Sequence, residues 1–413
     1  MDDHDEAGRK KAHERIEANR REMIELQRDL VGTPAMAPES GGDGETKKAE
    51  VLVGHLKRLG IDDIEVLEAP DDRVSSGRRP NVVATIPGRD TTRSFWVMTH
   101  LDVVPPGDEE LWDTPPFQMT EKDGRLFGRG VEDNQQSLVA SVFAAASILQ
   151  AGLEPSLNVK LLFVADEEVG SGMGIKYLLA HHDLFGDQDL ILVPDFGSVT
   201  GSTIEVAEKN VLWLKLRTTG RQCHASTPEK GVNAFVAGSD LALKMNSLNR
   251  IFDQRDDLFD PPVSTFAPTK KEANVPNVNT IPAEDVFYVD CRILPSVPLD
   301  EVMSRIDGFI DEVSRSHGVR IERSVVNESQ SIPTPKDTPL AGLLKDAIRK
   351  VYGTEAREVG IGGGTVAAHV RNAGHDAVVW SRIEETAHMP NESCVIDDMV
   401  GDAKVMAAVM LTG

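Results

Sequence analysis

Cysteine is scarce in this chain of 413 residues: there are three, Cys223, Cys291 and Cys394. An odd number at wide spacing makes no disulfide framework and predicts a reducing, cytoplasmic compartment. Long apolar runs are missing too. No stretch approaches the ~18 residues that a membrane-spanning helix needs, so no membrane partner is expected. The first residues include Asp2, Asp3, Asp5, Glu6, Arg9, Lys10 and Lys11, where a signal peptide would place an apolar segment. Positive charge is also short. The 44 Lys and Arg face 67 Asp and Glu, a formal charge of −23. Such a surface repels phosphates instead of releasing their counterions, which excludes nucleic acid as a partner. Lysine supplies 18 of the cations, aspartate 36 of the acids, and aromatics only 5% of the chain. This composition reads as a halophilic surface. In molar salt the Debye length shrinks to ~3 Å and screens the self-repulsion of a highly charged fold.

The length, at ~150 residues per domain, allows two or three domains. A large core forms at this size without disulfide or metal staples. Ile16, Met23, Ile24, Leu26 and Leu30 predict an amphipathic helix within 3–31, ended by Pro34 and Pro38. A second helix is expected over 47–59, stopped by Gly60. Strands are expected at 81–86, 94–99, 158–165 and 189–193, with helices over 137–150 and near 174–182. The alternation predicts an α/β fold, a mainly parallel sheet flanked by helices. The pattern changes near Gly201. Strands at 203–206, 211–219, 286–293 and 319–326, with helices over 233–248 and 299–316, read as a β-α-β-β-α-β insert. The α/β pattern returns with a helix over 339–352, a glycine-rich loop, a strand at 377–381 and a helix over 397–411. The expected plan is a discontinuous catalytic domain, 1–208 plus 332–413, around an inserted domain, 209–331.

Carboxylates and histidines recur in short loops, several of them at strand ends. MTHLDVVP holds His100 and Asp102, GRGVEDNQQS holds Asp133, and VADEEVGS holds Glu167 and Glu168. VPDFG holds Asp195, CHASTPEKGVNA holds His224, and TAHMPNE holds His388. Taken singly, each has an ordinary reading: a hydrogen-bonded pair, a helix cap, solvated acids, a turn residue or a satisfied histidine. Taken together, residues that follow parallel strands can converge at one edge of the sheet. Asp133 precedes a helix and must be delivered by its loop. Two imidazoles and several carboxylates suit Zn²⁺, with Co²⁺ or Mn²⁺ as substitutes. Five ligands sharing one carboxylate fit two ions ~3.5–4 Å apart. No G-x-S-x-G is present, and no Ser or Cys nucleophile is required.

The ordered series resembles the dinuclear-zinc family of acetylornithine deacetylase, succinyl-diaminopimelate desuccinylase, aminoacylase and glutamate carboxypeptidase. The resemblance spans essentially the whole chain after the first ~20 residues. It implies a zinc-exopeptidase-like catalytic domain with an inserted, ferredoxin-like α+β domain that makes a homodimer. It implies two Zn²⁺ per subunit. His100 and Asp195 would bind one ion, Glu168 and His388 the other, and Asp133 both. Asp102 would orient the His100 ring. Glu167 would be the general base for a metal-bridged water that hydrolyses an amide. His224 would reach the partner subunit's site and steady the oxyanion. Asn279, Arg292, Gly364 and Thr365 match the segments that bind a substrate carboxylate. The implied substrate is an N-acyl amino acid, or, as the alternative, a dipeptide or a peptide cut at its C-terminal residue.

The chain departs from this pattern after Asp133, where Asn134-Gln135-Gln136 replaces a lysine–glycine pair. Glu384 is expected either to attract a substrate ammonium or to lie on the surface.

Overall fold

The computed structural model describes residues 3–412. The chain divides into two compact units. One comprises the described residues up to Val206, Thr334–Glu358 and the described residues from Thr365 onward. The other comprises Ala207–Pro333 and Val359–Gly364. The glycine-rich segment as far as Gly364 therefore packs with the second unit. Among the described residues no helix is long and apolar enough to cross a membrane. The three cysteines are free.

The first unit is built on an eight-stranded mixed sheet. Its centre is parallel: Asp90–His100 lies between Leu157–Val164 and Leu190–Val193, and Ala377–Val379 pairs with the latter. Phe95, Trp96, Val97 and Met98 are buried on both faces of the first of these strands, which is why it reads as an unbroken apolar run. Asp63–Pro70 and Arg78–Ile86 extend one side of the sheet as an antiparallel pair. Sequence reading missed Asp63–Pro70, because an edge strand with only Leu67 and Ala69 buried looks like a charged loop.

Helix Gln135–Gln150 is buried from Gln135 through Ile148, and Ile396–Thr412 is nearly as buried. Small side chains in both let them lie side by side as core helices. The expected N-terminal helix is two, Asp3–Ala18 and Arg20–Val31. The break is at Asn19, whose buried amide reaches Ser147 Oγ at 3.2 Å and Gln150 Oε1 at 2.9 Å.

Thr120–Lys122, Arg125–Phe127 and Ser393–Val395 form a separate three-stranded sheet. It joins distant parts of the chain, with Ser393 opposite Phe127.

The second unit is a four-stranded antiparallel sheet in the order Thr265–Lys271, Glu284–Ile293, Asn210–Thr219, Arg320–Ser329. Helices Ala234–Ile251 and Leu299–His317 share its core. Leu212, Leu214 and Leu216 alternate inward beside Phe287, Val289 and Cys291. Trp213, on the opposite face, is exposed. This is the period-two signature of a sheet with one solvated side.

Candidate metal centre

The carboxyl ends of adjacent parallel strands deliver most of the site. His100 ends its strand, Glu167 and Glu168 begin the turn after Leu157–Val164, and Asp195 lies just past Leu190–Val193. His388 comes from the loop beyond Ala377–Val379. Asp133 arrives from the turn before Gln135–Gln150. The donor atoms form two groups, His100–Asp133–Asp195 and Asp133–Glu168–His388.

Asp133 is divided between them. His100 Nε2 lies 2.9 Å from its Oδ1 and 3.4 Å from Asp195 Oδ1. His388 Nε2 lies 3.1 Å from Asp133 Oδ2 and 3.0 Å from Glu168 Oε2.

Charge follows geometry. Burial alone would lower the pKa of His100, but the Asp195 carboxylate and bonds to Asp102 and Asp133 raise it well above the usual imidazole value. Hydrogen bonds to Asp133 and Glu168 lift His388 to about 10. Burial would push Asp133 up; the two imidazoles instead hold it far below the carboxylate range. Burial, reinforced by Asp195, pushes Glu167 well above that range. Asp133 thus draws positive charge from both sides, whereas Glu167 lies among acids with no cation close enough to offset its burial, an arrangement suited to divalent cations. Glu168 Oε1 is buried and has no hydrogen-bond partner among the described residues. Such an orphaned carboxylate oxygen fits a metal ligand.

Asp102 is buried and, beside meeting the His100 ring, holds a second element. Its carboxylate accepts the backbone N–H groups of Glu167 and Glu168, each at 3.0 Å. The His100 ring meets the Asp102 carbonyl at 3.0 Å and its carboxylate only at 3.4 Å. One residue therefore ties the His100 strand to the Glu167–Glu168 turn. Behind that turn, Asp166 has φ of 64°, a left-handed conformation costly for a residue with a Cβ. It is held by Met173 N–H at 3.0 Å and by Glu45, which accepts the Asp166 N–H at 3.2 Å.

The segment that replaces lysine–glycine has its own function. Asn134 Nδ2 donates to Asp195 Oδ1 at 2.7 Å and to the Pro194 carbonyl at 2.8 Å. Gln136 Nε2 donates to the Arg382 carbonyl at 2.6 Å. Glu384 neither lies free on the surface nor stands open to a substrate ammonium, because it is paired with Arg125 and accepts from Ser393 Oγ at 3.1 Å.

Two buried glutamates, Glu132 and Glu392, grip the Asp133 and His388 loops and were not singled out from sequence. The only available signal was their adjacency to the motifs, since glutamate is ordinarily solvated.

The remaining expected residues divide between the units. In the second, His224 is exposed, and its Nδ1 accepts the Ser226 N–H at 3.1 Å. Arg292 is paired with Asp290 at 2.7 Å and donates to the Gly362 carbonyl at 2.9 Å. Asn279 is exposed, and its carbonyl accepts the Ala225 N–H at 2.9 Å; Gly364 is exposed. In the first unit, Thr365 Oγ1 accepts the Ala367 N–H at 3.2 Å.

Residues 96–412 match the sequence model of peptidase family M20/M25/M40. The chain belongs to that family. An uncharacterized metallohydrolase of Methanocaldococcus jannaschii is 38% identical over 406 residues, covering 94% of this chain and 98% of the relative. A succinyl-diaminopimelate desuccinylase of Maricaulis maris is 29% identical over 308 residues, 74% of this chain and 77% of the relative. The crystal structure of aminopeptidase PepT from Bacillus cereus has a TM-score of 0.77 at 18% identity, over 95% of this chain and 98% of the other. At that identity the likeness is one of fold. This member of the M20 family is a metal-dependent amide hydrolase.

Proposed function

We propose that this M20 hydrolase cleaves the amide bond of an N-acyl amino acid, as a desuccinylase or deacetylase does, using two metal ions per subunit. The observation that carries this reading is the divided carboxylate of Asp133, one oxygen toward each imidazole. His100, Asp133 and Asp195 would hold one ion and Asp133, Glu168 and His388 the other. Two nitrogen donors among carboxylates suit Zn²⁺, with Co²⁺ or Mn²⁺ able to replace it. When bound, the ions supply Lewis acidity and bring the pKa of water toward ~7.

The remaining steps fall to this chain's own side chains. Glu167 belongs to neither donor group. Its carboxylate takes the proton from the attacking water and returns it to the leaving nitrogen. Asp102 keeps the Glu167 turn in place through the two backbone bonds. His224 Nδ1 is engaged by Ser226, whose N–H lies at 3.1 Å and whose hydroxyl lies at 2.7 Å, which leaves Nε2 to face a substrate. That nitrogen is then a donor for the oxyanion, delivered to a second copy in a homodimer built through the inserted unit. Asn279, Arg292, Gly364 and Thr365 would receive the substrate carboxylate, with Arg292 released from Asp290.

The desuccinylase relative supports the acyl reading. The fold likeness to an aminopeptidase keeps a second reading, a dipeptidase or carboxypeptidase, since both classes cut an amide. A panel of N-succinyl and N-acetyl amino acids and dipeptides, assayed with Zn²⁺, Co²⁺ and Mn²⁺, separates them. Glu167→Ala is expected to keep both ions by elemental analysis while turnover falls ~10²–10⁴-fold or more. Retained turnover would refute the base. Mixing Glu167→Ala with His224→Ala should restore activity if catalysis crosses the dimer.

A further inference from the structure

The loops that carry Asp133 and His388 are cross-tied by two glutamates running in opposite directions. Glu392 reaches back to the first loop. Its Oε2 accepts from Arg129 Nη1 at 2.6 Å and the Gly130 N–H at 2.9 Å. Its Oε1 accepts the N–H groups of Glu132 at 2.9 Å and Asp133 at 3.0 Å. Glu132 reaches the other way. Its Oε1 accepts the Thr386 N–H at 2.8 Å, and its Oε2 accepts the Glu384 N–H at 3.1 Å and the Thr386 hydroxyl at 2.9 Å. Both glutamates are buried, at 3% exposure for Glu132 and 0% for Glu392.

The pairing of Ser393 with Phe127 sets this arrangement, because it lays Glu392 beside Gly128, whose N–H it accepts at 3.1 Å. The His388 loop needs such support. Glu385, His388 and Asn391 all have left-handed backbones, with φ of 63°, 63° and 60°. Non-glycine residues stay there only where their surroundings over-determine them. Glu132 supplies three of those determinants, two of them on Thr386, two residues before His388.

We infer that Glu132 is a positioning residue for the His388 half of the centre, setting the affinity of the Asp133–Glu168–His388 group for its ion. The inference rests on reading the two donor groups as two metal sites. The other group has separate supports: Asp195 is held by Asn134, His100 by its strand, and the Asp133 amide by Glu392. A glutamine at 132 would turn an NH₂ toward at least one of the donors that the carboxylate now accepts. The loop would lose its register while the chain kept its shape.

The test uses the full chain, stripped of metal and titrated with Co²⁺, read by calorimetry and visible absorption. Wild type is expected to show two binding steps, and His388→Ala to remove the one that belongs to the His388 group. Glu132→Gln should weaken that same step ~10–100-fold and shift the other by less than ~3-fold, the range seen when partners of metal ligands are replaced. Its far-UV circular dichroism should be unchanged. On the His388→Ala background, Glu132→Gln should leave the remaining step unmoved. Thr386→Val removes only the hydroxyl donor and should shift the same step less; it carries the test if Glu132→Gln does not fold. Equal weakening of both steps, or an unmoved His388 step, would overturn the positioning role. A wild type that binds only one ion would instead overturn the two-site reading beneath it.

Discussion

Replacing Asp102 by alanine removes two acceptors at once. Asp102 is 1% exposed, and its carboxylate takes the backbone N–H groups of Glu167 and Glu168, each at 3.0 Å. In Asp102→Ala both amides, on a partly buried turn, lose the carboxylate that accepts them. A stranded buried donor costs ~1–3 kcal/mol, so the pair should cost ~2–6 kcal/mol. Asp102→Asn keeps one acceptor oxygen and strands one amide, which should halve the loss to ~1–3 kcal/mol. Against a native stability of ~5–15 kcal/mol both changes are large enough to measure. Urea unfolding followed by circular dichroism reads them as shifts in midpoint at constant slope. The same variants report on chemistry. The turn that loosens carries Glu167, so Asp102→Asn should lower kcat more than it raises KM. An alanine variant within ~0.5 kcal/mol of wild type, at equal slope, would refute the reasoning. It would mean that the two amides find other acceptors or water.

Two further outcomes concern the acidity of the chain. Asp402 is buried against Tyr352 and the Arg382 amide, and burial pushes its pKa to about 7. An unfolded chain gives up that proton near pH ~3.9. Rising pH across the window from ~4 to ~7 therefore favours the unfolded state, with a ceiling of ~4 kcal/mol. Asp402→Asn has no such proton, so its stability relative to wild type should climb through that window and then level; a difference flat with pH would refute the assignment. The −23 balance is the basis of the other outcome. Melting temperature and turnover should both rise as KCl goes from ~0.1 M to ~1 M, where the screening length falls to ~3 Å, and an unchanged melting curve would remove the case for salt adaptation.

The parallel centre of the sheet was legible because its strands are buried on both faces and read as apolar runs bounded by turn residues. His100, Glu168 and Asp195 were legible for a related reason, since each stands where such a run ends. Asp133 and His388 stood out only as members of the same series of acids and histidines in short loops, because a loop residue carries no periodic signal, and which ion each would hold came from the resemblance. Glu132 and Glu392 escaped. Each acts through backbone amides about 250 residues away, and the contact depends on three-residue strands too short to show in a pattern. The break at Asn19 escaped for a similar reason: its buried amide answers to Ser147 and Gln150, not to its neighbours in sequence. Asp102 was found but its main partner was not, because sequence shows the two-residue interval to His100 and hides the turn it supports.

The division of the centre between early and late parts of the chain bears on how it is born. His100, Asp133 and Asp195 have all been synthesised by residue 195, whereas His388 and Glu392 follow about 190 residues later. At ~5–20 residues per second that interval is ~10–40 s. Through it the nascent chain holds one donor group whole and the other without its histidine. Strand Ala377–Val379 and helix Ile396–Thr412, which belong to the same unit, are made only at the end. If the two donor groups are two metal sites, a chain stalled before residue 388 has the donors of the first and lacks a ligand of the second, as well as the Glu392 carboxylate that holds the Asp133 amide.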